Sequence, residues 1–210
     1  MVKAAGLLAF LLLAAAARSV PPAFRGESGP VPPAVEERMR QYSWRPGCPV
    51  PIADLAYLRL SHHGFDGAVH EGELVVHRDL APEVIAIFKA LFDQRFPVEK
   101  MRLVDDYQGD DDRSMTDDNT SGFNCRPVAG KPLVFSKHSY GRAIDVNPLV
   151  NPMLASGTVA PPAGAEYANR QRKAAGILRA GEGAVREFTR RGWTWGGGWL
   201  SMKDYQHFEK

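Results

Sequence analysis

The stretch Ser136-Lys137-His138-Ser139-Tyr140-Gly141-Arg142-Ala143-Ile144-Asp145 decides the reading of this 210-residue chain. A turn at Tyr140-Gly141 followed by a strand carries Asp145 back beside His138. Gly141 allows the tight backbone, and the small side chain of Ala143 leaves room on the face that Asp145 shares. Ala143, Asp145 and Asn147 face one way along that strand, Ile144 and Val146 the other. An imidazole nitrogen and a carboxylate oxygen are both ordinary zinc ligands, at ~2.0–2.2 Å. Two ligands do not hold a catalytic ion. The third candidate is His207, in Asp204-Tyr205-Gln206-His207, on what reads as the final strand. Three protein ligands leave a fourth position for water, the open arrangement of catalytic sites, and two imidazoles with one carboxylate suit Zn2+. Asp204, three residues before His207, is the candidate base that binds no metal; the competing reading is a surface turn residue.

These residues resemble the D-alanyl-D-alanine carboxypeptidase family of zinc peptidases, which includes VanY-type carboxypeptidases and L-alanyl-D-glutamate endopeptidases. Ser-x-His-x-x-Gly-x-Ala-x-Asp followed by a distant Asp-x-x-His is that family's paired signature. The likeness extends to Val104-Asp105-Asp106-Tyr107, to Asn119 through Arg126 and to Gly192 through Gly197, and so covers roughly Glu71 to the C-terminus. It implies a small α+β domain with a central antiparallel sheet carrying the zinc site, flanked by helices. It implies His138, Asp145 and His207 as metal ligands and Asp204 as the base. An arginine upstream of the first motif holds the polarised carbonyl or a substrate carboxylate, here Arg126 with Arg113 in reserve. Ser136 supports the cleft or donates a hydrogen bond to substrate. The implied reaction is hydrolysis of a peptide bond in bacterial cell-wall peptidoglycan, as a carboxypeptidase or an endopeptidase. The implied partners are stem peptides or short peptides containing D-amino acids, met by a monomer. The alternative is a catalytically silent, zinc-stabilised cell-wall-binding or signalling module of the same fold. One departure stands out: relatives often read Trp-Gly-Gly-Asp-Trp where this chain has Trp195-Gly196-Gly197-Gly198-Trp199.

Outward from the motif, Gly72 to His77 has the β-branched content of a strand. Asp79 is a candidate N-cap for a helix with Pro82 in its first turn, packing through Val84, Phe88 and Leu91. Met101 to Val104 reads as a strand. Seven aspartates lie between Asp105 and Asp118. Without the alternation and terminal Glu of a calcium loop they read as a solvated loop at a cleft rim. Ala165 to Ala180 and Gly183 to Arg191 read as helices, with Gly192 as a C-cap glycine. His62, His63, His70 and His77 lack a ligand pattern and read as structural.

At the N-terminus, Lys3, an apolar run from Gly6 to Ala17 and a small-residue exit read as a signal peptide over residues 1–19. That run is shorter than the ~20 apolar residues a membrane span needs, so no stable membrane insertion is expected once the leader is removed. Residues 20–47, rich in Pro, Gly and charge, read as a linker or loosely packed lead-in, leaving 48–210 as the peptidase domain. The expected destination is periplasmic or extracellular and cell-wall associated. There an even cysteine count favours a disulfide between Cys48 and Cys125. A net charge of +2 gives no argument for a nucleic-acid partner.

Overall fold

The computed structural model describes residues 23–128 and 130–210, so the leader expected over 1–19 lies outside the described residues. The first elements are β1 (Gly26–Pro30), α1 (Pro33–Gln41), β2 (Leu55–His63) and β3 (Val69–His77). β2 and β3 form a long antiparallel hairpin, from Leu55 opposite His77 to His63 opposite Val69. β1 joins the free edge of β2, with Gly26 opposite Leu60 and Pro30 opposite Ala56. The expectation of a linker over 20–47 is therefore corrected. Val35 and Met39, four residues apart, put one apolar stripe on the otherwise charged α1. That stripe packs with Val50, Leu55, Val75, Leu103, Phe123 and Cys125. The composition of the segment hid two apolar positions at helical spacing.

α2 (Ala81–Asp93) lies against this sheet and buries Val84, Ile87, Phe88 and Leu91. Pro82 stands in its first turn as expected, but Asp79 is not the N-cap. Arg78–Leu80 make a separate 3-10 turn, whose opening N–H, from Asp79, is accepted by His77 Nδ1 at 3.3 Å. The core continues through Leu58, Leu60, Leu74 and Val76 to Ile144 and Phe208, with Phe208 stacked on Phe188 at 3.9 Å between centroids.

The strand expected over Met101 to Val104 shortens to β4 (Lys100–Met101), and Val104–Tyr107 is a 3-10 turn. The aspartate run is only partly the solvated loop expected. It forms α3 (Asp111–Thr116), whose first turn is capped by the Asp110 carboxylate accepting from Arg113 N at 3.0 Å. Asp117 receives Tyr107 OH and Lys100 Nζ, each at 2.7 Å, and buried Asp118 accepts from Leu149 N at 2.8 Å. Specific donors meet these three carboxylates, while Asp106, Asp110 and Asp112 stay exposed.

β5 (Asn119–Thr120) pairs in parallel with β4, and β6 (Pro127–Val128) with β7 (Lys131–Phe135) makes a hairpin whose β7 side chains are exposed. Then come β8 (Ala143–Asp145), β9 (Met153–Ala155) and β10 (Thr158–Ala160). Helix does not form over Ala165 to Ala180 beyond a 3-10 segment ending at Ala168. Arg170 takes over the carbonyls there: its Nη1 reaches Val150 O and its Nη2 reaches Leu178 O, both at 2.9 Å. Helix returns as α4 (Gly183–Thr189), followed by Gly192 at φ +84°. β11 (Thr194–Trp195), β12 (Lys203–Asp204) and β13 (His207–Glu209) close the chain. The result is α+β, with the strands divided among β1-β2-β3, β11-β13-β8, β10-β9-β12 and two short pairs. The candidate site sits on the antiparallel sheet β11-β13-β8. Cys48 and Cys125 form the expected disulfide, with Cα atoms 6.0 Å apart.

Candidate metal centre

β8 and β13 pair so that Asp145 and His207 are direct cross-strand neighbours. Cross-strand partners point to the same face, so register alone brings this carboxylate to this imidazole. His138 arrives from the 3-10 turn Lys137–Tyr140, where its own backbone N–H donates to the capping Ser136 Oγ at 3.3 Å. The turn ends on Gly141 at φ +65°, where a Cβ would lie 2.4 Å from His77 N. No other residue type fits that corner. His138 Nε2 lies 3.0 Å from Asp145 Oδ2 and 3.3 Å from His207 Nδ1, and His207 Nδ1 lies 2.9 Å from Asp145 Oδ1. The three are buried, and among the described residues they form the one group of metal-binding side chains whose ligand atoms lie within 4.8 Å of one another.

The outward nitrogens of both imidazoles are engaged. His138 Nδ1 lies 2.6 Å from Gly122 O, and His207 Nε2 lies 3.2 Å from Glu209 Oε2. An imidazole that donates its far N–H keeps the other nitrogen's lone pair for a metal, and its ring orientation is fixed. Two such imidazoles and one carboxylate are a donor set that fits zinc. Burial alone would raise the Asp145 carboxyl, but the two imidazoles outweigh it and hold it far below the usual carboxylate range. Burial would lower His207, yet the Asp145 carboxylate lifts it to about 10.

Asp204 enters from a different sheet. It lies on β12, opposite Met153 of β9. Its Oδ1 is buried without a hydrogen-bond partner. Burial, reinforced by the Asp145 charge, pushes its carboxyl up to about 7, while the imidazoles and Arg126 pull the other way. The glycine run is shaped around it: a Cβ at Gly196 would meet Asp204 O at 2.6 Å and Asp204 Cβ at 2.8 Å. A Cβ at Gly198 would meet nothing within 4 Å. Trp199 lies over His207, ring centroids 5.4 Å apart, whereas Trp195 donates to Tyr205 O at 2.9 Å.

Arg126 stands near enough for its charge to act on Asp204, and its Nη2 pairs with Asp111 Oδ2 at 2.7 Å. Its backbone is tied to the metal loop: Arg126 N donates to Ser139 Oγ at 2.9 Å, and Arg126 O accepts from Ser136 N at 3.0 Å. Arg113 faces elsewhere, in a shallow depression with Tyr107, Asp112, Thr116 and Asp117. Ser136 acts locally as the cap of the His138 turn. His62 binds Val98 O through Nδ1 at 2.9 Å and His70 pairs with Asp66 at 3.0 Å, both structural contacts.

Sequence reasoning did not find Gly122, Glu209 or Asp111. Glu209 left a signal, since a residue two positions from His207 on a strand shares its face. Gly122 and Asp111 left none, because a backbone carbonyl and a helix-borne carboxylate reach the site only through tertiary packing.

Residues 129–210 match the family model described as D-alanyl-D-alanine carboxypeptidase. The match bears out the resemblance read from the paired motifs, and it spans His138, Asp145, Asp204 and His207 while Arg126 and Asp111 precede it. No curated protein and no solved structure matches the chain.

Proposed function

We propose that this protein is a zinc-dependent peptidase that hydrolyses peptide bonds in bacterial cell-wall peptidoglycan. The observation that carries the reading is one geometry: His138, Asp145 and His207 converge with their outward nitrogens engaged, and the half-buried Asp204 lies beside them with a buried Oδ1 that has no partner. A binding module needs the first feature but has no use for the second, which favours an enzyme over a silent module. Zinc held there supplies Lewis acidity toward a carbonyl oxygen and lowers the pKa of a water towards ~7.

The chain's own residues do the rest. Asp204 takes a proton at its carboxylate and returns it to the leaving amine, a role suited by its place beside the three candidate ligands with Oδ1 unpartnered. Arg126 donates guanidinium N–H groups to the oxygen on which negative charge develops. Gly122 O and Glu209 hold the imidazoles in orientation. A Cβ at Gly198 enters open space, so the position where relatives often carry an acid is vacant in this chain.

Purified peptidoglycan digested with zinc-loaded protein, with the released fragments read by mass spectrometry, tests the reading. Free D-Ala identifies a carboxypeptidase and new stem-peptide termini an endopeptidase. No release under conditions in which a known family member acts overturns it.

A further inference from the structure

The aspartate run reaches the site at one point. Asp111, in the first turn of α3, pairs through Oδ2 with Arg126 Nη2 at 2.7 Å. Its other oxygen, Oδ1, lies 3.4 Å from Asn124 Nδ2. Both side chains of the ion pair are about three-quarters buried, at 28% exposed for Arg126 and 25% for Asp111. Arg126 Nε is buried with no acceptor at all. A guanidinium with an unanswered buried donor would turn toward water if nothing held it. The Arg126 backbone is fixed by Ser136 and Ser139, and Cys125 beside it is fixed by the disulfide to Cys48. The side chain itself has Asp111 as its anchor.

We propose that Asp111 is a positioning and specificity-determining residue: it holds the Arg126 guanidinium at the metal centre and offsets its charge, so that the arginine favours a neutral carbonyl oxygen over a free carboxylate. The proposal rests on the peptidase reading and sharpens it toward substrates cut at an internal bond. A guanidinium already paired at 2.7 Å presents little net charge to a second carboxylate, while its remaining N–H groups still donate to an oxygen. Charge compensation and orientation separate experimentally, because asparagine keeps an acceptor oxygen at position 111 and alanine keeps neither oxygen nor charge.

Two zinc-loaded variants, Asp111→Ala and Asp111→Asn, decide it against a short acylated peptide ending in D-Ala-D-Ala and the C-terminal amide of the same peptide. Asp111→Ala is expected to lower kcat about tenfold with KM within about twofold and zinc content unchanged. Asp111→Asn is expected to recover most of kcat, yet to raise the preference for the free acid over the amide about fivefold. Wild-type kcat and wild-type preference in both variants overturn the proposal, as does loss of zinc in parallel with kcat. A second readout needs no turnover: the protected 15N–1H signal of Arg126 Nε, assigned by its disappearance in Arg126→Lys. It is expected to exchange at least about tenfold faster in Asp111→Ala, and an unchanged signal overturns the anchoring. If wild type cleaves neither peptide nor peptidoglycan, the peptidase reading fails, and the nitrogen signal still decides whether Asp111 holds Arg126.

Discussion

Asp204 and His207 are three residues apart, yet they stand on different sheets and do different things. The chain leaves β12 after Asp204, bends at Tyr205 and Gln206, and pairs again as β13 at His207. Asp204→Ala should therefore abolish turnover while retaining about one zinc per chain by metal analysis, whereas His207→Ala should lose the metal. If the Asp204 variant also loses its zinc, Asp204 is a ligand and not the base. The neighbouring glycines give a paired test. Gly196→Ala drives a methyl group into the Asp204 backbone and should cost both activity and stability, while Gly198→Asp enters open space and should leave the melting temperature within a few degrees. Asp118 makes a pH prediction. Burial raises its carboxyl to about 6 despite bonds from Leu149 and Val150 N–H. Its folded-state pKa thus exceeds the ordinary ~3.9, so the protonated form favours folding. That contribution is complete below ~pH 4 and is lost as pH rises through 6, roughly 3 kcal/mol at most. Asp118→Asn, at φ +54° where asparagine is tolerated, should gain stability relative to wild type between pH 4 and 6.5 and then level off. A denaturation series in which the variant instead loses ground as pH rises would reverse the sign assigned to this burial.

At the scale of elements, legibility followed how local the signal was. The His138 turn, β8, α2 and α4 were readable because each is set by residues within a few positions: a serine cap, a glycine corner, an apolar stripe. α1 was not, since Val35 and Met39 are its two buried residues among nine, in a stretch dominated by Pro and charge. Ala165 to Ala180 failed the other way. Its composition suits a helix, but Arg170 and Arg179 satisfy the backbone carbonyls of an irregular loop, and Gly176 packs where a Cβ would lie 2.3 Å from Asn147 Nδ2. Which carbonyls an arginine will reach is a tertiary fact that periodicity does not carry. The packing of α1 makes its own prediction. Met39 is fully buried, so Met39→Ala should destabilise the domain by about 2–5 kcal/mol, seen as a lower denaturant midpoint at unchanged slope. A variant indistinguishable from wild type would restore the lead-in reading.

Across the whole molecule, the Cys48–Cys125 bridge closes a span of 77 residues that contains β2, β3 and α2. In the chain-entropy model a loop of that length contributes about 4–5 kcal/mol. The double variant Cys48→Ala/Cys125→Ala should unfold at a correspondingly lower denaturant concentration, and equal midpoints for the two proteins would place the stability elsewhere. No described helix is long and apolar enough to cross a membrane.

The segment Ser121–Phe123 touches three things at once. Ser121 exchanges backbone bonds with Asp145, Gly122 O receives His138, and Phe123 N donates to Val75 O at 2.8 Å on the large hairpin. At Gly122 the contact with that hairpin is so close that a Cβ would lie 2.4 Å from Val75 O. Backbone of the big sheet and the candidate ligand His138 are thus joined through one residue, Gly122, with no room for a side chain between them. A substitution in β3 that shifts Val75 is therefore expected to move Gly122 O, the acceptor of His138 Nδ1. On the zinc reading proposed above, metal affinity should respond to substitutions in a sheet that supplies none of the three metal-binding candidates.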